Sequence, residues 1–158
     1  MPVIAILIGI LVTAADQLIK IFVSGNLKLS GDLELIPGLL KLTYTENRGV
    51  AFGMFKDMRW FFVILTSVMI AAIVFYMFKK RPSGRLFYVC AGLIIGGGIG
   101  NLIDRVLYGY VIDYISLSFF PPICNFADYC ITFGVAILVI YILFFSDALK
   151  KKKDIKND

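Results

Sequence analysis

The sequence predicts an α-helical integral membrane protein with four transmembrane helices in a single domain, residues 1–158. Of its 158 residues, 59% are apolar and 17% are charged, and the mean hydropathy is +0.87. Soluble domains are closer to half apolar and a quarter charged. A helix needs about 20 apolar residues to cross a hydrocarbon core about 30 Å thick. Four runs approach that length, and we predict spans over residues 3–23, 60–78, 86–103 and 129–145.

The first apolar run has an alternative interpretation as a secretory signal peptide, because Thr13, Ala14 and Ala15 loosely suit a cleavage site. Two observations favour a span. Residues 1–3 contain no Lys or Arg, which a signal peptide carries at its start, and apolar character resumes after Lys20. We therefore keep this run as the first transmembrane helix.

Lys and Arg in the short connecting segments predict the orientation of the spans. Residues 79–85 contain four basic residues and no acid, and the tail 146–158 contains four consecutive Lys at 150–153. We expect the loop 79–85, the tail and the N-terminus on the cytoplasmic side. The loops 24–59 and 104–128 then face outward.

The outward loops contain short extended segments. Residues 33–36 and 41–44 flank the turn signal Pro37-Gly38 and predict a hairpin. Residues 110–117 are rich in aromatic and β-branched side chains and predict a further extended segment. We expect Pro121-Pro122 to end regular structure before the fourth span.

The composition excludes several kinds of chemistry. The chain has no histidine, so a His-based zinc site, a Ser/His/Asp triad and a Cys/His dyad are all excluded. Three irregularly spaced cysteines, Cys90, Cys124 and Cys130, lie in or beside apolar runs and are interpreted as small buried hydrophobes. The net charge of +5 comes from residues that orient membrane spans, so nucleic acid is not implied.

Glycine recurs every four residues in the third span, at Gly92, Gly96 and Gly100. Small residues at this spacing form one helix face and let two helix backbones approach closely. We therefore predict that this face packs tightly against a neighbouring span.

Polar residues gather near the outward ends of the spans. A charge inside a bilayer is costly and is kept with a partner or a function. Asp16 and Lys20 have i, i+4 spacing on one helix face, which favours a structural ion pair, and Asp104 with Arg105 is also expected to form a helix-end network. The candidates at this depth are Asp16, Lys20, Asn101, Asp104, Arg105, Asp113, Asn125 and Asp128.

Asp113 and Asp128 differ because neither has a basic residue within four positions, so a functional role is favoured. Two carboxylates in a partly dry site share a proton and can act as acid and base. One can activate a water for attack on a peptide carbonyl while the other protonates the departing nitrogen. This chemistry requires no histidine, metal or cofactor.

Five ordered blocks of the chain resemble those of the bacterial lipoprotein signal peptidases, also called signal peptidase II, an aspartic peptidase family. The resemblance covers nearly the whole chain, and five blocks in order are far more specific than any one alone. The blocks are Asp16-Gln17-Leu18-Ile19-Lys20, Asn47-Arg48-Gly49-Val50-Ala51-Phe52-Gly53, Gly100-Asn101-Leu102-Ile103-Asp104-Arg105, Val111-Ile112-Asp113-Tyr114 and Asn125-Phe126-Ala127-Asp128.

The resemblance implies a cofactor-independent peptidase that removes signal peptides from diacylglyceryl prolipoproteins by cutting before the lipidated cysteine. It also implies an outward β-cradle, a short helix in the first loop, contact with membrane lipid and inhibition by globomycin; we expect a monomer. Asp113 and Asp128 match the two catalytic aspartates. Residues matching the site lining are Asn47, Asn101, Arg105 and Asn125. Residues matching supporting positions are Asp16, Lys20, Gly49, Ala51, Phe52, Asp104 and Ala127.

Two positions depart from the family pattern. Arg48 stands where many relatives have a small polar residue or asparagine, which bears on how the loop closes over substrate. Tyr114 stands where phenylalanine is common. Neither position belongs to the aspartate pair.

Three other functions remain as alternatives. A small transporter or channel subunit predicts charges at several depths, including the midplane, whereas this chain has them at one. A non-catalytic membrane scaffold predicts that Asp113 and Asp128 both tolerate Asn. A Ser/Lys peptidase requires a Ser and Lys pair, and none stands out in the five blocks.

Overall fold

Four long helices and a small antiparallel sheet form the molecule, a computed structural model that describes residues 1–49 and 58–154. The order along the chain is α1, β1, β2, α2, α3, β3, β4, α4. The helices are α1 (Pro2–Ser30), α2 (Arg59–Lys80), α3 (Arg85–Leu107) and α4 (Phe126–Asp154). The strands are β1 (Leu33–Ile36), β2 (Leu40–Asn47), β3 (Val111–Leu117) and β4 (Phe120–Cys124).

The predicted fold class is confirmed. Within the described ranges, four helical segments are long and apolar enough to cross a membrane: Pro2–Ser30, Arg59–Lys80, Arg85–Leu107 and Phe126–Phe144. Consecutive spans run in opposite directions, so the segment between α1 and α2 and the segment between α3 and α4 lie at the same end of the bundle. The segment between α2 and α3 lies at the other end.

The helices extend further than the apolar runs predict. The segment 24–30 was expected in the first outward loop, but it belongs to α1. Its Leu27, together with Val23, is buried against Ile112 and Tyr114 of β3, so packing on the sheet stabilises these last turns. Helix α4 continues to Asp154, beyond the predicted end of the fourth span.

Helix α3 is the most buried of the four and packs against α1, as its glycine face predicts. A Cβ on Gly92 would lie 2.8 Å from the Cβ of Ile8. A Cβ on Gly96 would lie 2.7 Å from the backbone oxygen of Gly9. These contacts confirm the predicted close approach through small residues.

The sheet has the order β1-β2-β3-β4, and each neighbouring pair is antiparallel. The predicted hairpin and the extended segment of β3 are confirmed, with Gly38 at φ 69° in the turn. Residues 31–49 and 58 contain no helix; the rest of the first loop, where the short helix was expected, lies outside the described residues.

The expectation for Pro121-Pro122 was wrong, because both prolines lie within strand β4. This strand is at the edge of the sheet and pairs with β3 through Phe120 and Cys124. An edge strand tolerates proline where no partner needs the missing N–H.

Candidate active site

Asp113 and Asp128 come together where the sheet meets the helix ends. Asp113 lies in β3 and is 2% exposed, and Asp128 lies in the first turn of α4. Asn125, directly before α4, is fully buried and touches both. A strand and a helix start therefore bring together two carboxylates that are 15 positions apart in sequence.

Asn125 fixes the relation between the two carboxylates. Its Nδ2 donates to Asp113 Oδ1 at 2.6 Å. Its Oδ1 accepts from the backbone N–H of Asp128 at 2.9 Å, and its own backbone N–H donates to Asp128 Oδ2 at 3.2 Å. The last two bonds form a reciprocal cap at the start of α4. One asparagine thus serves as both helix cap and bridge.

Two further amides complete the contacts of the pair. Asn47 Nδ2 donates to Asp113 Oδ2 at 2.7 Å, and Asn101 Nδ2 donates to Asp128 Oδ1 at 2.8 Å. Asn125 also donates to Asn101 Oδ1 at 3.1 Å. Each carboxylate oxygen therefore accepts one hydrogen bond and retains a lone pair for a proton or a water.

Lys20 is the centre of a buried ion cluster beneath the asparagines. Its Nζ lies 2.8 Å from Asp16 Oδ2 and 2.8 Å from Asp104 Oδ2, and it donates to Asn101 Oδ1 at 2.9 Å. The predicted Asp16–Lys20 pair is confirmed. Asp104 was expected to pair with Arg105, but it forms a salt bridge with Lys20. The reason is that α1 places Lys20 opposite Asp104 on α3.

The same two acids hold the segments that contain Asp113 and Asp128. Asp16 Oδ1 accepts from the backbone N–H of Ala127 at 3.1 Å. Asp104 Oδ2 accepts from the backbone N–H of Ile112 at 3.1 Å. Each bond is made one residue before a member of the carboxylate pair, so the ion cluster positions both.

The electrostatic environment differs from that of an exposed carboxylate. Burial, followed by the neighbouring charge of Asp128, raises the pKa of Asp113 from 3.8 to about 7. The polar set contains four Asp side chains against the cations of Lys20 and Arg105. An excess of negative charge in a dry site favours retention of one proton by the pair.

Other predicted residues lie around this centre. Gly49 is buried, and its backbone N–H donates to Asn47 Oδ1 at 3.0 Å, which orients the Asn47 amide. Arg105 is half-buried, with its guanidinium 5.2 Å from the Phe62 ring centroid. Ala51 and Phe52 lie outside the described residues.

Two contributing residues were not selected from the sequence. Gln17 Nε2 donates to Asp104 Oδ1 at 3.0 Å, and Tyr114 Oη accepts from the backbone N–H of Phe126 at 3.1 Å. A glutamine within an apolar span is itself a signal, because its amide needs partners in a membrane. Across residues 1–49 and 58–154, no cluster of three His, Cys, Asp or Glu side chains could hold a metal ion.

Four spans with a buried set of carboxylates and amides at one end define a membrane protein with an enzyme-like site. Two solved structures described as a bacterial membrane enzyme have the same architecture. One has a TM-score of 0.82 and 34% identity, covering 88% of this chain and 87% of that chain. The other has a TM-score of 0.81 and 34% identity, covering 90% and 94%.

The pattern of the family described as Signal peptidase (SPase) II matches residues 8–144. A lipoprotein signal peptidase of Halothermothrix orenii is 40% identical over 136 residues, covering 86% of this chain and 92% of the relative. That of Clostridium acetobutylicum is 38% identical over 158 residues, covering 98% of each. That of Streptococcus thermophilus is 43% identical over 126 residues, covering 79% and 82%. The chain belongs to the signal peptidase II family and is a membrane peptidase.

Proposed function

We propose that this chain removes the signal peptide from diacylglyceryl prolipoproteins by cutting immediately before the lipidated cysteine, with Asp113 and Asp128 acting on one water. The observation that carries the proposal is the bridge that Asn125 makes between the two carboxylates, through its side-chain amide to Asp113 and its backbone N–H to Asp128. The names of the relatives, lipoprotein signal peptidase, support the substrate class.

The surroundings of the two aspartates favour different roles. Asp128 lies in the first turn of α4 and accepts a backbone N–H bond, and a helix N-terminus stabilises a negative charge. Asp113 lies in strand β3, where no helix N-terminus stabilises a negative charge, and its pKa is raised to about 7. We therefore assign the base to Asp128 and the acid to Asp113.

The proton balance follows from this assignment. The Asp128 carboxylate takes a proton from water as the water oxygen bonds to the scissile carbonyl carbon. Asp113 then gives its proton to the departing nitrogen as the C–N bond breaks. The products are the carboxyl end of the signal peptide and the amino group of the lipidated cysteine, without a covalent intermediate.

The location at the helix ends suits a lipidated substrate. Acyl chains can remain in the bilayer while the scissile bond meets water at the sheet, and Asn47, Asn101, Arg105 and Asn125 can contact the peptide. The basic segment 79–85 favours an orientation with both termini in the cytoplasm and the site at the outer leaflet. Globomycin-type inhibitors would occupy the same site.

The test is processing of a purified diacylglyceryl prolipoprotein by wild-type protein, Asp113→Asn and Asp128→Asn. Each variant should lose about 10²–10⁴-fold in rate, the range for loss of an acid or base, while remaining folded and membrane-inserted. Asp32→Asn is the matched control, because Asp32 is exposed and pairs with Lys41 in the sheet. Near wild-type processing by Asp128→Asn, or processing insensitive to globomycin, would overturn the proposal.

A further inference from the structure

An apolar groove runs along α1 where this helix faces α2. It encloses about 600 Å³. Helix α2 packs mainly on α3, so the space between α1 and α2 is open towards the lipid. The side chains that form its walls are Ile10, Ala14, Val74, Phe78, Ile95 and Ile99.

The length and chemistry of this groove suit a hydrocarbon chain. It follows α1 from Ala5 to Gln17, about 18 Å at the helical rise, compared with about 15 Å for half of the hydrocarbon core. Its two polar side chains bond internally: Thr13 Oγ1 donates to the Gly96 carbonyl at 3.0 Å, and Gln17 Nε2 donates to the Gly100 carbonyl at 3.1 Å. The groove therefore presents an apolar surface over its whole length.

A second pocket continues the groove at the end of the bundle where α2 ends and α3 begins. It encloses about 400 Å³, and Met1, Arg81 and Ser83 are among its walls. Phe78 lines both the pocket and the groove, so the two spaces adjoin at this side chain. An amphipathic molecule could lie across both.

This second pocket lies at a basic segment and has Arg81 among its walls. The segment 79–85 around it contains Lys79, Lys80, Arg81 and Arg85 and no acid. Helices α1 and α3 both begin here, and neither has a side-chain cap on its first turn. Basic pockets between spans favour anionic lipid headgroups.

We propose that the groove and the pocket together form a binding site for one anionic glycerophospholipid. One acyl chain lies between α1 and α2, and the phosphate lies beside Arg81. A zwitterionic lipid is disfavoured because its ammonium group would face the same basic segment. In the orientation given above, this lipid belongs to the inner leaflet.

The headgroup pocket is remote from the carboxylate pair, and the groove approaches the ion cluster at its far end, where Gln17 bonds to Asp104. Along α3, Arg85, near the headgroup pocket, and Asn101, at the pair, are about 24 Å apart at the helical rise. The headgroup preference of the lipid site is therefore measured without reference to peptidase activity. Failure of one proposal leaves the other intact.

The experiment measures lipid retention by the purified full chain. Delipidated protein is incubated with vesicles of dioleoylphosphatidylglycerol or of dioleoylphosphatidylcholine, and bound lipid is counted by native mass spectrometry. We expect one phosphatidylglycerol per chain, retained about tenfold more than phosphatidylcholine. Thermal stability should rise with the first lipid and not with the second.

Matched variants separate the acyl groove from the headgroup pocket. Ala14→Phe fills the groove and should abolish retention of both lipids, whereas Ala71→Phe, on an exposed face of α2 outside the groove, should leave it unchanged. Arg81→Gln should lower the preference for phosphatidylglycerol, and Lys151→Gln, which removes the same charge from the tail, should not. Equal retention of the two lipids by wild-type protein, or unchanged retention by Ala14→Phe, would show general lipid contact only and overturn the proposal.

Discussion

At the residue scale, Asn125 determines how Asp113 and Asp128 can share chemistry. Its amide and backbone bond to both residues, so a change at one carboxylate is transmitted to the other through a rigid group. Amide nitrogens donate and cannot accept. The shared proton must therefore lie on a carboxylate lone pair that no asparagine uses.

A pH profile tests this arrangement. Since the pKa of Asp113 is about 7, the pair loses its shared proton as pH rises through 7, and kcat should fall on the alkaline side. The Asn47 hydrogen bond stabilises the charged form of Asp113. Asn47→Leu should therefore raise the pKa and move the alkaline limb to higher pH. Asn26→Leu, the same change at an exposed asparagine of α1 that bonds to the Phe22 carbonyl, is the control. An alkaline limb that Asn47→Leu leaves in place or moves to lower pH contradicts the assignment.

Lys20 offers a second test at this scale. Lys20→Met leaves Asp16 and Asp104 buried without their cation, which should cost about 3–5 kcal/mol in the free energy of unfolding. Lys28→Met is the matched control, because it makes the same substitution in the same helix. Lys28 is half exposed in its contact with Glu46, so the loss in free energy of unfolding should stay below about 1 kcal/mol. Denaturation in mixed micelles measures both values, and equal losses would show that the buried cluster is not structural.

Only those features of the site that depend on residues close in sequence could be predicted. Asp113 and Asp128 were recognisable because an acid near a bilayer is costly, and neither has a neighbouring basic residue to pair with. The i, i+4 pair of Asp16 and Lys20 is local and was also predicted. The contact of Lys20 with Asp104 joins residues 84 positions apart, and no periodicity within one helix reports such a partner.

At the element scale, the approach of α1 to α3 brings the two halves of the site together. Asp16 and Lys20 come from α1, and Asn101 and Asp104 come from α3, so their contacts require the short interhelical distance that glycine permits. The apolar runs predicted the spans well, because hydrocarbon thickness sets their length. The extension of α1 to Ser30 depends on packing against β3, which composition does not report.

Gly96 tests this approach. In Gly96→Ala the added Cβ would lie 2.7 Å from the Gly9 carbonyl oxygen, a backbone atom that cannot move without shifting the helix. We expect a loss of about 1–3 kcal/mol in stability, typical of overpacking, with reduced processing. Gly25→Ala, in α1 with no atom within 4 Å of its added Cβ, should be neutral or gain up to about 1 kcal/mol. A Gly96→Ala protein as stable as Gly25→Ala would show that the helices can separate without cost.

At the scale of the whole molecule, charge is distributed by depth. The carboxylates and amides of the site lie at the end of the bundle that has the sheet, and the segment 79–85 places four basic residues at the other end. Positive charge favours the cytoplasmic side, so this charge distribution predicts that the site faces outward.

Cysteine labelling in intact cells tests the orientation. In a background with Cys90, Cys124 and Cys130 replaced by Ala, Lys41→Cys lies at an exposed position of β2 and Ser83→Cys at an exposed position between α2 and α3. From the orientation that the basic segment predicts, a membrane-impermeant maleimide should label Lys41→Cys in intact cells and should label Ser83→Cys only after permeabilisation. The cysteine-free background shows the unspecific signal. Labelling of Ser83→Cys in intact cells would show the opposite orientation. It would contradict the outward-facing site that the basic segment predicts.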